Sequence, residues 1–290
     1  MIVLLGATGY VGSKFKKYFE KNGIQCNCIS RSDFDYSDSK LLCEYLSMAK
    51  PEFLVNAAGY TGKPNVDACE IHKTETLFGN AILPGRIAEA CSRAKIPWGH
   101  VSSGCIFSGD GPNKGLSGFS ETDKPNFDFR GGHCSFYSGT KSLGEEILSN
   151  FDSVYIWRLR IPFDNVNNPR NYLTKLMSYK RLLEARNSIS HLDDFVDACW
   201  KTNLMNVPYG IYNITNPGSI TTSEVTGLIK EFGICEREFD FFDNEEEFMN
   251  SAAKTPRSNC VLNTEKIEAC GISIPPVIEA LRKTLRSWQK

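Results

Sequence analysis

Residues 1–12 read MIVLLGATGYVG, and this stretch decides the fold. Residues 2–5 (IVLL) are an uninterrupted apolar run of strand length. Gly6, Gly9 and Gly12 follow at GxxGxxG spacing, with Thr8, Tyr10 and Val11 between them. Phe15, Tyr18 and Phe19 then fall at a helical period. Strand, glycine turn and helix together make the context of a dinucleotide-binding turn. The glycines let the backbone approach a pyrophosphate, and the helix N-terminus offers it N–H groups and a positive dipole end. The competing reading is a tight turn with no ligand, and the place directly after the first strand favours binding.

Working outward, the next strand is about 24–29 (IQCNCI) and ends at Ser30-Arg31. An acidic residue here would suit the ribose 2′-OH of NADH, whereas Arg31 suits a 2′-phosphate. NADPH is therefore the expected cofactor, with NADH possible and a solvated surface Arg the alternative for Arg31. Asp35 follows near the same cofactor edge, then an amphipathic helix from about 38 to 49. FLVNAAG makes a third strand and turn, and small Ala57, Ala58 and Gly59 leave room for a cofactor. A helical segment over about 69–94 and a fourth strand over 97–102 complete a regular alternation. That alternation predicts an α/β chain with a doubly wound parallel sheet, whose ligands sit at the carboxyl ends of the strands.

The stretch 100–145, HVSSGCIFSGDG to SFYSGTKSLGEE, carries the candidate chemistry. Tyr137 and Lys141 are four apart and share a helix face. A nearby ammonium is expected to lower the Tyr pKa from about 10. The phenol then gives a proton to a carbonyl oxygen while a reduced nicotinamide gives hydride to its carbon. Ser103, at the end of the fourth strand, is placed to polarise the same carbonyl. YxxxK alone is weak; with the glycine turn before it and a serine strand-end between, it is strong. The Gly-, Pro-, Asn- and Asp-rich run 108–133 reads as a lid.

Past Pro162 the alternation fades. The expected organisation is a nucleotide-binding domain at 1–162 and a smaller, mainly substrate-binding α/β lobe at 163–290, some of whose segments return to the sheet. Helices are predicted after residue 168, over 192–204, after Thr221 and over about 275–288, with a strand at 210–215. The acidic run 243–247 reads as a solvated face. A net charge of −1, a pI near 6.5 and 23% charged residues point to neither nucleic acid nor a membrane surface as partner. With no long apolar window and no charged leader before the first strand, a cytoplasmic place is expected. Eleven cysteines without paired zinc spacing read as reduced thiols, with no metal site.

NAAGYTGKPNVDACE (56–70), SGCIF (103–107), PNF (125–127), SFYSGTKS (135–142), NPRNYLTK (168–175), GIYNITNPG (210–218), PRSN (256–259) and LNTEKI (262–267) extend the picture. Together they resemble one family of the extended short-chain dehydrogenase/reductases, over nearly the whole chain. It is the bifunctional nucleotide-sugar 3,5-epimerase/4-reductase that completes UDP-L-rhamnose synthesis in plants. The resemblance implies a Rossmann-type sheet and NADPH-dependent conversion of UDP-4-keto-6-deoxy-D-glucose to UDP-L-rhamnose. A 4-ketone acidifies the C3 and C5 protons, and inverting a carbon needs a base on one face and an acid on the other. Cys105, two residues after Ser103, is expected as thiolate to be one partner; core packing is its alternative. The related GDP-fucose synthases are similar in carrying a Cys in a matching run, but with a His as second group. No His stands in NPRNYLTKL, and the resemblance gives that role to Lys175, its pKa lowered by burial or Arg170; a solvated helix Lys is its alternative. His133 is a third candidate, with a plain surface residue as its alternative. Asn65, Asp67, Arg170, Asn171 and Arg257 are expected on the nucleotide-sugar side.

Gly104-Cys105 stand where 4,6-dehydratases place an Asp-Glu pair, so a separate upstream dehydratase is implied. Residues 128–134 (DFRGGHC) are longer than the plant-type pattern, which touches lid shape. A homodimer is expected, paired through helices that include the Tyr-Lys helix. Two readings compete: a reductase acting on an already epimerised sugar, and a non-catalytic NADP-binding subunit like that of methionine adenosyltransferase. The intact Ser103, Tyr137 and Lys141 set argues against the second.

Overall fold

The computed structural model describes residues 1–109, 111–112 and 117–289. Six parallel strands form the central sheet: β1 Ile2–Leu5, β2 Cys26–Ile29, β3 Phe53–Asn56, β4 Trp98–Ser103, β5 Val154–Leu159 and β6 Gly210–Asn213. Their order is β6-β5-β4-β3-β1-β2, so the chain reverses direction across the sheet between β1 and β3. The doubly wound parallel sheet expected from the sequence is present. Its strands are apolar because both faces are covered; β1 and β3 are buried at every position.

Helices α1 (Tyr10–Lys21) and α7 (Leu192–Leu204) cover one face. Phe15, Phe19 and Phe195 meet Phe53, Tyr155 and Trp157 there, with Phe15 stacked on Trp157 at 6.0 Å. Gly99 is bare for a packing reason: a Cβ on it would lie 1.9 Å from the Trp157 ring. On the other face, α2 (Ser39–Ala49) and α4 (Leu83–Ala94) bury Leu42, Leu46, Ile87 and Cys91 against Val3, Leu54 and Ile156. A separate apolar core, built from residues 163–285, includes Phe163, Leu173, Ile189, Val225 and Leu281. β6 and α7 belong to the second half of the chain yet complete the main sheet and its core.

Several boundaries differ from the sequence reading. β2 starts at Cys26 rather than 24, because the Ile24 N–H closes the end of α1 on Phe19 O at 2.9 Å. The helix expected over 69–94 is broken into a 3₁₀ turn Val66–Glu70, α3 Lys73–Leu77, a π turn Phe78–Ile82 and α4. Pro84 has no N–H to offer the Asn80 carbonyl four residues back, and the wide turn opens there. The Asn80 amide instead reaches Tyr60, accepting from its N–H and donating to its carbonyl, both at 2.9 Å.

The run 108–133 is not a lid in its described part; residues 110 and 113–116 lie outside the described residues. It is stitched to the C-terminal segment: Gly109 N–H to Asn259 O, and Phe119 N–H to Val261 O, each at 2.8 Å. Phe119 stacks on Phe107 with ring centroids 4.5 Å apart. Residues 128–134 lie against α5 (Phe136–Leu148), where Phe129 covers Gly139 and Arg130 pairs bidentately with Glu146. The acidic run 243–247 is only partly a solvated face: Asn244 caps α8 (Glu245–Ser251), and Glu247 pairs with Arg181. Among the described residues no helix is long and apolar enough to cross a membrane.

One ion pair ties α5 to the sheet. Arg158 on β5 and Glu145 on α5 are 2% and 6% exposed and meet at 2.8 Å, and Ser102 Oγ donates to Glu145 at 2.5 Å. Removing one partner leaves an uncompensated buried charge, so Arg158→Met is expected to destabilise the protein by about 3–5 kcal/mol. Urea unfolding of Arg158→Met and of the double variant Arg158→Met/Glu145→Leu checks this; the double variant should recover part of the loss.

Candidate active site

The carboxyl ends of β1, β3, β4 and β5 open into one cleft of about 700 Å³. It lies at the point where the strand order reverses, the usual ligand crevice of an open α/β sheet. Thr8, Gly9, Tyr10 and Val11 from the first turn line it, with Ala57, Ala58 and Gly59 after β3 and Ser102 and Ser103 at the end of β4. α5 contributes Tyr137 and Lys141, and Lys175 comes from α6 (Tyr172–Ser178).

The first turn fits a pyrophosphate on its own geometry. Gly6 has φ +79°, and a Cβ there would lie 2.5 Å from Ala58 N. A Cβ on Gly12 would lie 2.0 Å from Gly6 O. Only glycine at both places lets the turn close this tightly and bring the start of α1 to the cleft. Arg31 and Asp35 are exposed and off the cleft wall; Asp35 accepts from the Ser37 N–H at 3.0 Å.

Ser135 caps α5, accepting from the Ser138 N–H at 3.1 Å, and this sets the helix register that carries Tyr137 and Lys141. Lys141 is only 5% exposed, and its Nζ donates to Val101 O at 3.3 Å. Burial pushes the Lys141 ammonium down towards its neutral form. The expected fall in the Tyr137 pKa is not found. Burial first, and then the neighbouring Cys105, push the phenol well above its ordinary range and outweigh the Ser103 hydroxyl and Arg160. Tyr137 therefore stands as a protonated phenol.

Ser103 caps the short turn after β4, its Oγ accepting from the Cys105 N–H at 3.3 Å. Cys105 is 6% exposed, off the cleft wall, and packs with Ile106, Phe107, Cys260 and Leu262 beside Tyr137. Burial pushes its thiol up, against the pull of Ser103, Arg160, Ser138 and Lys141. The thiolate expected from the sequence is thus disfavoured. Lys175 moves the other way: burial, then Arg170 and Arg257, push its ammonium down.

The remaining substrate-side candidates divide. Asn65 and Arg170 line the cleft, and Arg170 Nη2 donates to Gly62 O at 2.5 Å. Asp67 and Arg257 are off the wall and hold each other bidentately at 2.7 and 2.9 Å. The Asn171 side chain is fully buried and occupied within the fold, donating to Asp164 O and Val166 O and capping α6 through the Leu173 N–H. His133 is exposed. Lys63, Thr61 and Asn168 also line the cleft and were missed, although Lys63 sits inside the quoted run 56–70. A second missed feature lies behind the wall. Asn56 and His100 are register partners across β3 and β4, and their side chains meet at 3.0 Å. Asn56 also accepts from the Ala58 N–H at 3.0 Å, which fixes the turn that carries Ala57 to Gly59.

The family described as the RmlD substrate binding domain matches residues 1–290. The chain belongs to the RmlD family. An Arabidopsis thaliana bifunctional dTDP-4-dehydrorhamnose 3,5-epimerase/dTDP-4-dehydrorhamnose reductase is 33% identical, covering 97% of this chain and 91% of that protein. A trifunctional UDP-glucose 4,6-dehydratase/UDP-4-keto-6-deoxy-D-glucose 3,5-epimerase/UDP-4-keto-L-rhamnose-reductase of the same plant is 34% identical over 91% of this chain. The chain spans 39% of that trifunctional protein's length. The crystal structure of the L780 UDP-rhamnose synthase from Acanthamoeba polyphaga mimivirus superposes with a TM-score of 0.89 at 27% identity, covering 99% of this chain and 98% of that one. A dTDP-4-dehydrorhamnose reductase from Bacillus anthracis, solved in complex with NADP, shares the fold at 17% identity and a TM-score of 0.81, covering 98% of both chains.

Within this RmlD-family chain, His100 gives a pH signature. Burial and then Lys141 push its pKa well below the ordinary value of about 6.5. The folded protein holds it neutral while the unfolded chain protonates it, so folding stability falls as pH drops below about 6.5. The expected slope from this group is about 1.4 kcal/mol per pH unit down to its folded pKa. His100→Asn should flatten the stability curve below pH 6.5 by that amount. Equal slopes for the two proteins in urea unfolding at pH 5–7 would refute it.

Proposed function

We propose that the protein is an NADPH-dependent nucleotide-sugar 4-keto reductase that also catalyses 3,5-epimerisation, taking UDP-4-keto-6-deoxy-D-glucose to UDP-L-rhamnose. The reading rests on one observation: Ser103, Tyr137, Lys141 and Lys175 face one cleft that is continuous with the glycine turn. The turn, Ala57 to Gly59 and Lys141 would hold the cofactor, and Arg31, exposed beyond the end of β2 and off the cleft wall, would meet a 2′-phosphate only at the outer edge of the site. When bound, NADPH supplies the hydride for the carbonyl carbon. Tyr137, protonated by virtue of its burial, donates its proton to the carbonyl oxygen. Ser103 Oγ donates a hydrogen bond to the same oxygen, and Lys141 orients the cofactor side of the cleft.

For epimerisation the pKa directions reverse the expected assignment. Lys175, pushed towards its neutral amine, takes the proton from carbon, and Cys105, pushed towards its thiol, returns one on the other face. Cys105 lies behind Ser103 rather than on the wall, and this favours a second reading, a reductase that accepts an already epimerised sugar. The division near residue 162 into a cofactor half and a substrate half, a cytoplasmic place, a homodimer paired through α5 and a separate dehydratase that supplies the keto sugar all belong to this proposal.

Tyr137→Phe is expected to lower 4-keto reduction by about 10²–10⁴-fold while solvent deuterium still enters C3 and C5. Cys105→Ala and Lys175→Met should abolish that exchange and spare reduction of an already epimerised sugar. NMR of the sugar after incubation in D₂O decides: no exchange in the wild-type protein selects the reductase reading.

A further inference from the structure

The charges on the cleft wall have a direction that the hydride chemistry does not use. Lys63, Lys141, Arg170 and Lys175 line the cleft, and among the described residues no Asp or Glu does. Lys141 belongs to the catalytic end. The other three come from two loops and a helix that meet: Arg170 Nη2 donates to Gly62 O at 2.5 Å, which sets its guanidinium beside Lys63, and Lys175 follows on the first turns of α6. Asp67, in the turn that follows Lys63, is already held bidentately by Arg257. Lys63 Nζ makes no hydrogen bond or ion pair among the described residues, and Arg170 makes no side-chain bond there other than the one to Gly62.

Like charges gathered without counter-charge repel one another: burial first, and then Arg170 and Arg257, push the Lys175 ammonium down. A multiply charged anion relieves that repulsion. The cofactor's pyrophosphate has its own seat at the glycine turn and the start of α1, on a different part of the wall. We propose that Lys63 and Arg170 are the anchor for the diphosphate of a nucleoside-diphosphate sugar, an assignment that rests on the nucleotide-sugar reading above. Arg170 offers guanidinium N–H groups in a fixed fork, and Lys63 offers a mobile point charge, the combination that suits two linked phosphates.

The test is calorimetric titration of UDP into the whole protein, the wild type against Lys63→Met and Arg170→Met, with uridine and NADPH titrated alongside. Each variant is expected to weaken UDP binding by about tenfold or more, the loss of one charge-assisted contact. Uridine and NADPH should bind as to the wild type, and the NADPH result also reports that the variants are folded. Raising the salt should weaken UDP binding less in Lys63→Met than in the wild type. Unchanged UDP binding in both variants overturns the anchor. So does a loss of NADPH binding with UDP unaffected, which would give the cations to the cofactor. An equal loss for UDP and uridine also overturns it, because recognition would then lie in the base. Should UDP binding depend on Lys63 while no 4-keto sugar is reduced, the anchor stands and the reductase reading falls.

Discussion

A lysine ammonium held inside the protein on a single carbonyl sets the terms for this cleft. Lys141 is almost wholly buried, and Val101 O is its hydrogen-bond partner. The carboxylate one turn further along α5, Glu145, is hydrogen-bonded to Arg158 and Ser102, and its charge offsets only part of the burial penalty on Lys141. The group therefore lines the cleft with its charge disfavoured by burial. Its surroundings are consistent with that cost. His100 behind it is held neutral, and Gly59 before it has no side chain to compete for the space.

The neighbouring groups titrate in directions that follow from burial more than from pairing. Desolvation raises Tyr137 and Cys105 and lowers Lys141 and Lys175. All four are thereby moved towards their uncharged forms. Phenol and thiol hold their protons more firmly, and the two ammonium groups give theirs up more readily. The proposed proton traffic with carbon and oxygen calls for both kinds, and burial moves these four groups in those directions together. Behind the wall, polar groups pair with one another: Asn56 with His100, Asn80 with Tyr60, and Glu145 with Arg158.

Much of this was legible in the chain. The glycine turn, the strand ends and the YxxxK spacing are local, and local chemistry determines them. Gly6 must take a positive φ, an N-cap serine starts α5, and residues four apart share a helix face. The lid reading of 108–133 failed because composition marks a loop but not where it packs; Phe119 and Gly109 are fixed by strand-like bonds to residues about 140–150 positions later. The Tyr137 pKa was misjudged for a related reason. A Lys one turn away is visible in sequence, whereas the burial that overrides it is not.

The sequence by itself determined the alternating α/β order, the cofactor turn and which residue types could carry a reductase. Each of these depends on contacts within a few residues or on the period of a helix or strand. Only the tertiary structure decided that Asn56 faces His100, that Asp67 is spent on Arg257 across 190 positions, and that Cys105 lies behind the wall while Lys63 lies on it. Those facts follow from sheet register, from docking of the second half on the first and from the loss of water around each group, and none of the three is encoded in spacing along the chain.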